Sequence, residues 1–336
     1  MITKSIIRLN LTLSLAGISS CALAMDTVDL GKNTGTVQNE NQGNVEYHSQ
    51  SMNINGDLHN VMVFNGNYNS VEDVTKYLGK ANTNKVALKL ENFESEDLRD
   101  ILSRCQNVYL LVLKNIKGYS LGSDLLIDTL LSQINNLSNL IHLDLSGNNI
   151  HDAGASSLMQ SDGFHQLKTL NLSDNYIGDG VLFFYPTIFP ALTWLDLSNN
   201  NLGDYLLELL INEKIFDHIE YLNLSNNAIG NASVDILVAD NHFPSLVRLN
   251  LSHNNISNTG ANVLADSNVF QKLEALDLSN NSIQNGGATA LKNSKSLSNI
   301  RELNLKGNPI NDQNLLLELQ QDHHERITLQ SLAAPH

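Results

Sequence analysis

Between Leu140 and Ile310 apolar residues return in one frame, L/I-x-x-L-x-L-x-x-N-x-L/I, seven times over. The first copy is Leu140, Leu143, Leu145, Asn148 and Ile150. The frame's asparagine recurs at Asn175, Asn200, Asn227, Asn254, Asn281 and Asn308, at steps of 27, 25, 27, 27, 27 and 27 residues. The L-x-L alternation predicts a short strand whose leucines point inward while His142, Asp144 and Ser146 point outward. A fixed period predicts stacked copies of one unit, each adding a parallel strand to a common sheet. The asparagine falls where the chain must turn, and its amide can satisfy turn backbone groups. Three residues before each opening L/I stand Phe164, Phe189, Phe216, Phe243 and Phe270, with Leu137 and Leu297 at the ends of that column.

Behind the strands the period changes. Gly154 with Leu158, Gly260 with Leu264, and Gly287 with Leu291 share the spacing G-x-x-x-L, and apolar residues three and four apart around them predict amphipathic helices. The strand frame, the 27-residue unit and these glycines together resemble leucine-rich repeats of the ribonuclease-inhibitor-like class. The resemblance covers roughly residues 58 to 319 and implies an α/β solenoid with a curved parallel sheet on the concave side and helices on the convex side. The second regular repeat departs from the pattern. Gly180 comes one residue early, and Phe183, Phe184, Tyr185 and Pro186 replace small residues, which predicts a bulged or irregular convex side.

Upstream the frame decays. Counting back from Leu145, the inner position falls at Leu113, Leu90 and Val63, with Ile116, Phe93 and Gly66 where asparagine should stand. This gives about ten coils, three of them degenerate, as expected for the end of an array that must close its core. Five regions follow: a leader over 1–24, a polar lead and β-type cap over 25–57, degenerate repeats over 58–136, seven regular repeats over 137–310, and a C-terminal cap over 311–336. In the N-terminal cap, alternation from Val45 to Ile54 followed by Asn55-Gly56 predicts a hairpin with Leu58 to Phe64. In the C-terminal cap, Asn314 to Gln321 reads as a helix and Arg326 to Leu329 as a last strand.

Residues 1–24 have the layout of an export signal: Lys4 and Arg8, an apolar run from Leu9 to Ile18, then Ala22-Leu23-Ala24. Cleavage near Ala24 and export are expected. Ile18-Ser19-Ser20-Cys21 offers an alternative, a lipoprotein anchored through Cys21. Removing Lys4 and Arg8 leaves 18 basic against 35 acidic residues, which moves the net charge from −15 to −17. Such a surface argues against nucleic acid or anionic lipid as the main partner and favours a basic one. Only Cys105 would remain after cleavage, so no disulfide framework is expected, in keeping with a bacterial origin.

No set of residues for catalysis stands out. The 11 histidines are scattered, and neither a zinc-protease helix, a nucleophile elbow nor a phosphate-binding glycine loop is present. Cys105 reads as a half-buried packing cysteine ahead of nucleophile, and His323-His324 as a solvated helix end ahead of metal ligands. The chain is expected to be no enzyme and to hold no cofactor and no metal. It is expected to bind a protein, with no nucleic acid and no small-molecule substrate, as a monomer. The outward positions carry the candidate site. Their middle column is uniformly Asp or Asn and the next almost always Ser, which reads as scaffold. The first column varies: His142, Thr169, Trp194, Tyr221, Arg248, Ala275 and Glu302. Trp, Tyr and Arg are the types enriched at interface hot spots, so His142, Thr169, Trp194, Tyr221, Arg248 and Glu302 form the expected partner-binding row. With the export signal, the repeats resemble exported bacterial leucine-rich-repeat effectors, which implies action on a host protein. The alternative is an adhesion or structural protein anchored at the cell surface.

Overall fold

The alternating leucines do build one sheet. The computed structural model describes residues 35–36, 48–54, 57–81, 85–117, 124–178, 189–204, 215–239, 243–320 and 327–328. Within these, 13 strands lie side by side in chain order. They are β1 (Gly35–Thr36), β2 (His48–Ile54), β3 (Asp57–Asn65), β4 (Val86–Glu91), β5 (Val108–Lys114), β6 (His142–Asp144) and β7 (Thr169–Asn171). There follow β8 (Trp194–Asp196), β9 (Tyr221–Asn223), β10 (Arg248–Asn250), β11 (Ala275–Asp277), β12 (Glu302–Asn304) and β13 (Ile327–Thr328). From β3 to β13 every neighbouring pair is parallel, while β1–β2 and β2–β3 are antiparallel.

Eight helices are described: α1 (Val71–Lys80), α2 (Ser95–Leu102), α3 (Asp124–Ser132), α4 (Asp152–Met159), α5 (Asn231–Leu237), α6 (Asn258–Asp266), α7 (Asn285–Asn293) and α8 (Gln313–Gln320). They pack on one side of the sheet, where Leu249, Leu251, Ile256 and Leu264 of a single coil are all fully buried in one continuous core. Phe164 and Phe189 stack at 6.2 Å, and Phe243 and Phe270 are buried in the same column. The Phe216 side chain, the segment 179–188 where an irregular convex side is expected, His323-His324 and residues 1–34 fall outside the described residues.

Two polar ladders hold the coils in register. Asn175 shows the first. Its Oδ1 accepts from the backbone N–H groups of Asn148 and Ile150 at 3.1 and 2.9 Å. Its Nδ2 donates to the carbonyls of Leu145, Leu172 and Ser173 at 3.1, 2.9 and 3.0 Å. One buried amide thus satisfies backbone groups in two coils, and Asn254 repeats the pattern. The turn also needs a left-handed residue just before the frame's asparagine position, which Phe93 and Ile116 occupy in the degenerate coils. Asn92, Asn115, Gly147, Asp174, Asn199, Asn226, His253, Asn280 and Gly307 all stand there with φ between +50° and +77°, residue types that tolerate this region best.

The second ladder is on the helix side. Asn258 Oδ1 accepts from the N–H groups of Gln284 and Gly287, at 2.8 and 2.9 Å, and so caps the helix of the next coil. Asn231 does the same for Ser257 and Gly260, and Asp204 for Gly230 and Ser233. A Cβ on Gly260 or Gly287 would lie 2.7 or 2.8 Å from the capping oxygen. The glycine of G-x-x-x-L is therefore the gap through which the neighbouring asparagine reaches the helix start.

The N-terminal hairpin pairs Ile54 with Asp57 across Asn55-Gly56, two residues outside the described set. One register is corrected here. Leu90 pairs with Phe64 and Lys89 with Val63, so the inner residues of β3 are Met62 and Phe64. Val61, Met62, Val63 and Phe64 are apolar in both alternating sets, so alternation could not choose between them. The frame position of asparagine in this coil is then Asn67 rather than Gly66. Cys105 is fully buried, donating to the Ile101 carbonyl at 3.3 Å, and burial pushes its thiol up to about 12. The packing position expected to be half-buried is thus a fully buried one, where the reactive thiolate form is disfavoured.

Candidate functional site on the open face

The parallel register fixes the outward side chains in rows. His142 lies beside Thr169, then Trp194, Tyr221, Arg248, Ala275 and Glu302. All six predicted site residues are thus brought into one row. They are not alike in exposure. His142 is half-buried, and its Nδ1 meets Thr169 Oγ1 at 2.9 Å. The rings of Trp194 and Tyr221 stack at 4.8 Å and 6°, and only 6% and 5% of each residue remains accessible. Arg248 and Glu302 are exposed. The aromatic pair forms a rigid wall, and Arg248 is the charged group that projects beside it.

The next row is Asp144, Asn171, Asp196, Asn223, Asn250, Asp277 and Asn304, and it is scaffold as expected. In each case Oδ1 accepts the backbone N–H two residues on. Asp196 Oδ2 also accepts from Asn223 at 3.0 Å, as Asp277 does from Asn304. Burial pushes the Asp196 carboxyl up to about 6, although hydrogen bonds from Ser198 and Asn223 pull the other way.

The row begins upstream of His142. Through β5 and β4 it continues to Leu110, Ala87 and Val61, which with Met52 and Val112 form a separate buried apolar cluster on the open face. Beside it, His59 Nδ1 lies 3.1 Å from the Tyr109 hydroxyl, and the His59 and His142 rings are 5.1 Å apart. Once β3 is put in its true register, Val61 and His59 are legible as outward residues. Among the described residues no three His, Cys, Asp or Glu side chains come together to hold a metal ion.

Leucine-rich-repeat models match residues 136–159, 165–180, 191–212, 218–235, 243–265, 271–292 and 296–313. The chain is a leucine-rich-repeat protein. No curated protein matches it in sequence. Among solved structures it is similar to the mouse RP105/MD-1 complex, at 18% identity and a TM-score of 0.45, over 72% of this chain and 42% of that one. It is also similar to the TLR13–ssRNA13 complex, at 20% identity and a TM-score of 0.44, over 80% of this chain and 38% of that one. The leucine-rich-repeat chain thus spans about two fifths of the length of either.

Proposed function

We propose that this chain is a non-enzymatic protein-binding module that engages one partner along the open face. The contact row is His142, Thr169, Trp194, Tyr221, Arg248 and Glu302. The observation that carries this reading is the shared register, which sets five chemically varied side chains on neighbouring strands about 4.8 Å apart, with Glu302 in the same row two strands beyond Arg248. Strands hold them rigidly, so little side-chain freedom is lost on contact. The uniform Asp/Asn and Ser rows, engaged in their own turns, leave the first row as the variable one.

The leader over 1–24 and the resemblance to exported bacterial effectors support a monomer released by a bacterium to act on a host protein. Ile18-Ser19-Ser20-Cys21 supports a second reading, an adhesion or structural protein tethered at the cell envelope. Mass spectrometry of the mature N-terminus separates the two. A start at Met25 supports release, and a lipidated Cys21 supports the tether.

The face itself is tested by titration calorimetry with a partner captured by the mature protein. Arg248→Ala and Trp194→Ala are each expected to weaken binding by about 2 kcal/mol or more, the hot-spot range. Ser225→Ala is expected to change it little. Unaltered affinity in both row variants would move the site to the helix side or the caps.

A further inference from the structure

The N-terminal end of the open face carries polar chemistry that the turns and the core do not use. Strands β4 and β5 slip by one residue between Val86 and Ala87, so that Val86 pairs with Val108, Ala87 with Leu110, and Tyr109 is left over. Such a bulge re-aims the extra side chain. Here Tyr109 packs against the open-face apolar cluster, with its hydroxyl on His59 Nδ1. His59 and His142 both stand beside it, 5.8 and 6.3 Å from the Tyr109 ring and 5.1 Å from each other. Among the described residues, His59 Nε2 is buried and has no hydrogen-bond partner. A buried polar atom left this way costs free energy unless a ligand completes it.

We propose that His59, Tyr109 and His142 form a carboxylate-binding subsite that takes an acidic side chain of the partner. The subsite rests on the open face being the binding surface. A bound carboxylate supplies an acceptor for His59 Nε2 and a negative charge that pairs with an imidazolium, so its binding tightens as pH falls.

The neighbouring charges agree. Lys85, just before β4, and Lys168, just before β7, are both exposed at this edge of the sheet. Lys89 is held by Glu91 at 2.6 Å. Asp144, on the same strand as His142, is engaged by the Ser146 N–H. The side facing β2 is closed by the buried apolar Met52. The overall charge of −15 disfavours an acidic partner at long range, yet charges beyond about 8 Å are largely screened at physiological salt. The local groups therefore decide.

The test uses the full chain with three blocked peptide probes, hexaglutamate, hexaglutamine and hexalysine, in titration calorimetry at about pH 6 and about pH 8. Hexaglutamate is expected to bind at least about tenfold more tightly at the lower pH, one protonation step being worth up to about tenfold for each of the two pH units, and hexaglutamine not to bind. The dependence on pH should vanish in the double variant His59→Gln/His142→Gln. It should weaken in Tyr109→Phe, which removes one hydroxyl and leaves the packing ring. Equal binding of hexaglutamate and hexaglutamine, or a pH effect that survives the double variant, overturns the subsite. A preference for hexalysine also overturns it, while leaving the open face as the binding surface. Loss of partner binding in neither Arg248→Ala nor the histidine variants would instead remove the face altogether.

Discussion

After β4 the chain turns over Phe93, whereas after β9 it turns over Asn227, and these two turns are closed by different physics. Phe93 is 2% exposed and fills its turn with an apolar ring. Around it the strands are long, six residues in β4 and seven in β5, and backbone bonds such as Asn92 N–H to the Lys114 carbonyl at 3.0 Å complete the pairing. Strands β6 to β12 have only three residues each. There the side-chain amide takes up the backbone groups that the short strands leave. The handover is at Asn148, which donates to the Leu113 carbonyl and accepts from the Ile116 N–H. Apolar filling needs a longer backbone ladder, while a polar amide allows the strand to be cut to three residues.

The comparison can be broken from either side. Phe93→Ala removes a fully packed ring, with an expected loss of about 3–5 kcal/mol. Asn254→Ala leaves several buried backbone groups unsatisfied, with an expected loss of about 2–3 kcal/mol. Urea melts measure both. Equal and mild effects, below about 1 kcal/mol, would mean that neither device holds its turn.

The asparagine ladder and the strand leucines were legible because one residue type recurs at one place. The helix caps repeat just as regularly, Asn231, Asn258 and Asn285 being 27 apart, but they sit among exposed polar residues and pass for surface. The left-handed column was hidden by its mixed composition, since Asn, Asp, Gly and His share only a backbone tolerance. The candidate row was legible in its order but not in its accessibility. Ring-on-ring stacking of Trp194 and Tyr221 depends on strand spacing, which no single repeat shows.

The Asp/Asn row belongs to the regular coils alone, and Val112 and Lys89 hold its place upstream. This sharpens the comparison through pH. The folded chain raises the Asp196 carboxyl from 3.8 to about 6. The folded state therefore prefers the protonated form, and stability is lost as pH rises from about 4 through about 6. Asp196→Asn should be more stable than the natural chain by about 1–3 kcal/mol near pH 7. That gain should disappear near pH 4 in thermal melts, and a gain that did not change with pH would assign it to packing instead. The smallest expected effect is at Ala228, which follows the ladder asparagine with φ +57°. Ala228→Gly relieves the left-handed strain and should stabilise by about 0.5–1 kcal/mol. A loss in melting temperature would show that the alanine methyl contributes more than its conformation costs.

The two ladders point in opposite directions along the chain. Asn175 reaches back to finish the turn of the coil before it, and Asn258 reaches forward to start the helix of the coil after it. An interior coil thus depends on both neighbours, yet any neighbour of the same kind will serve. Excising residues 258–284, one whole unit of 27 residues, would set Asn231 against Gly287 and Asn308 against the turn of Asn254, with each partnership remade. The last coil escapes the rule: Pro309 has no N–H to satisfy, and Ile310 donates to the carbonyl of Asn308. Gene-level gain or loss of whole units is therefore tolerated in the middle of such an array, while its two ends stay fixed.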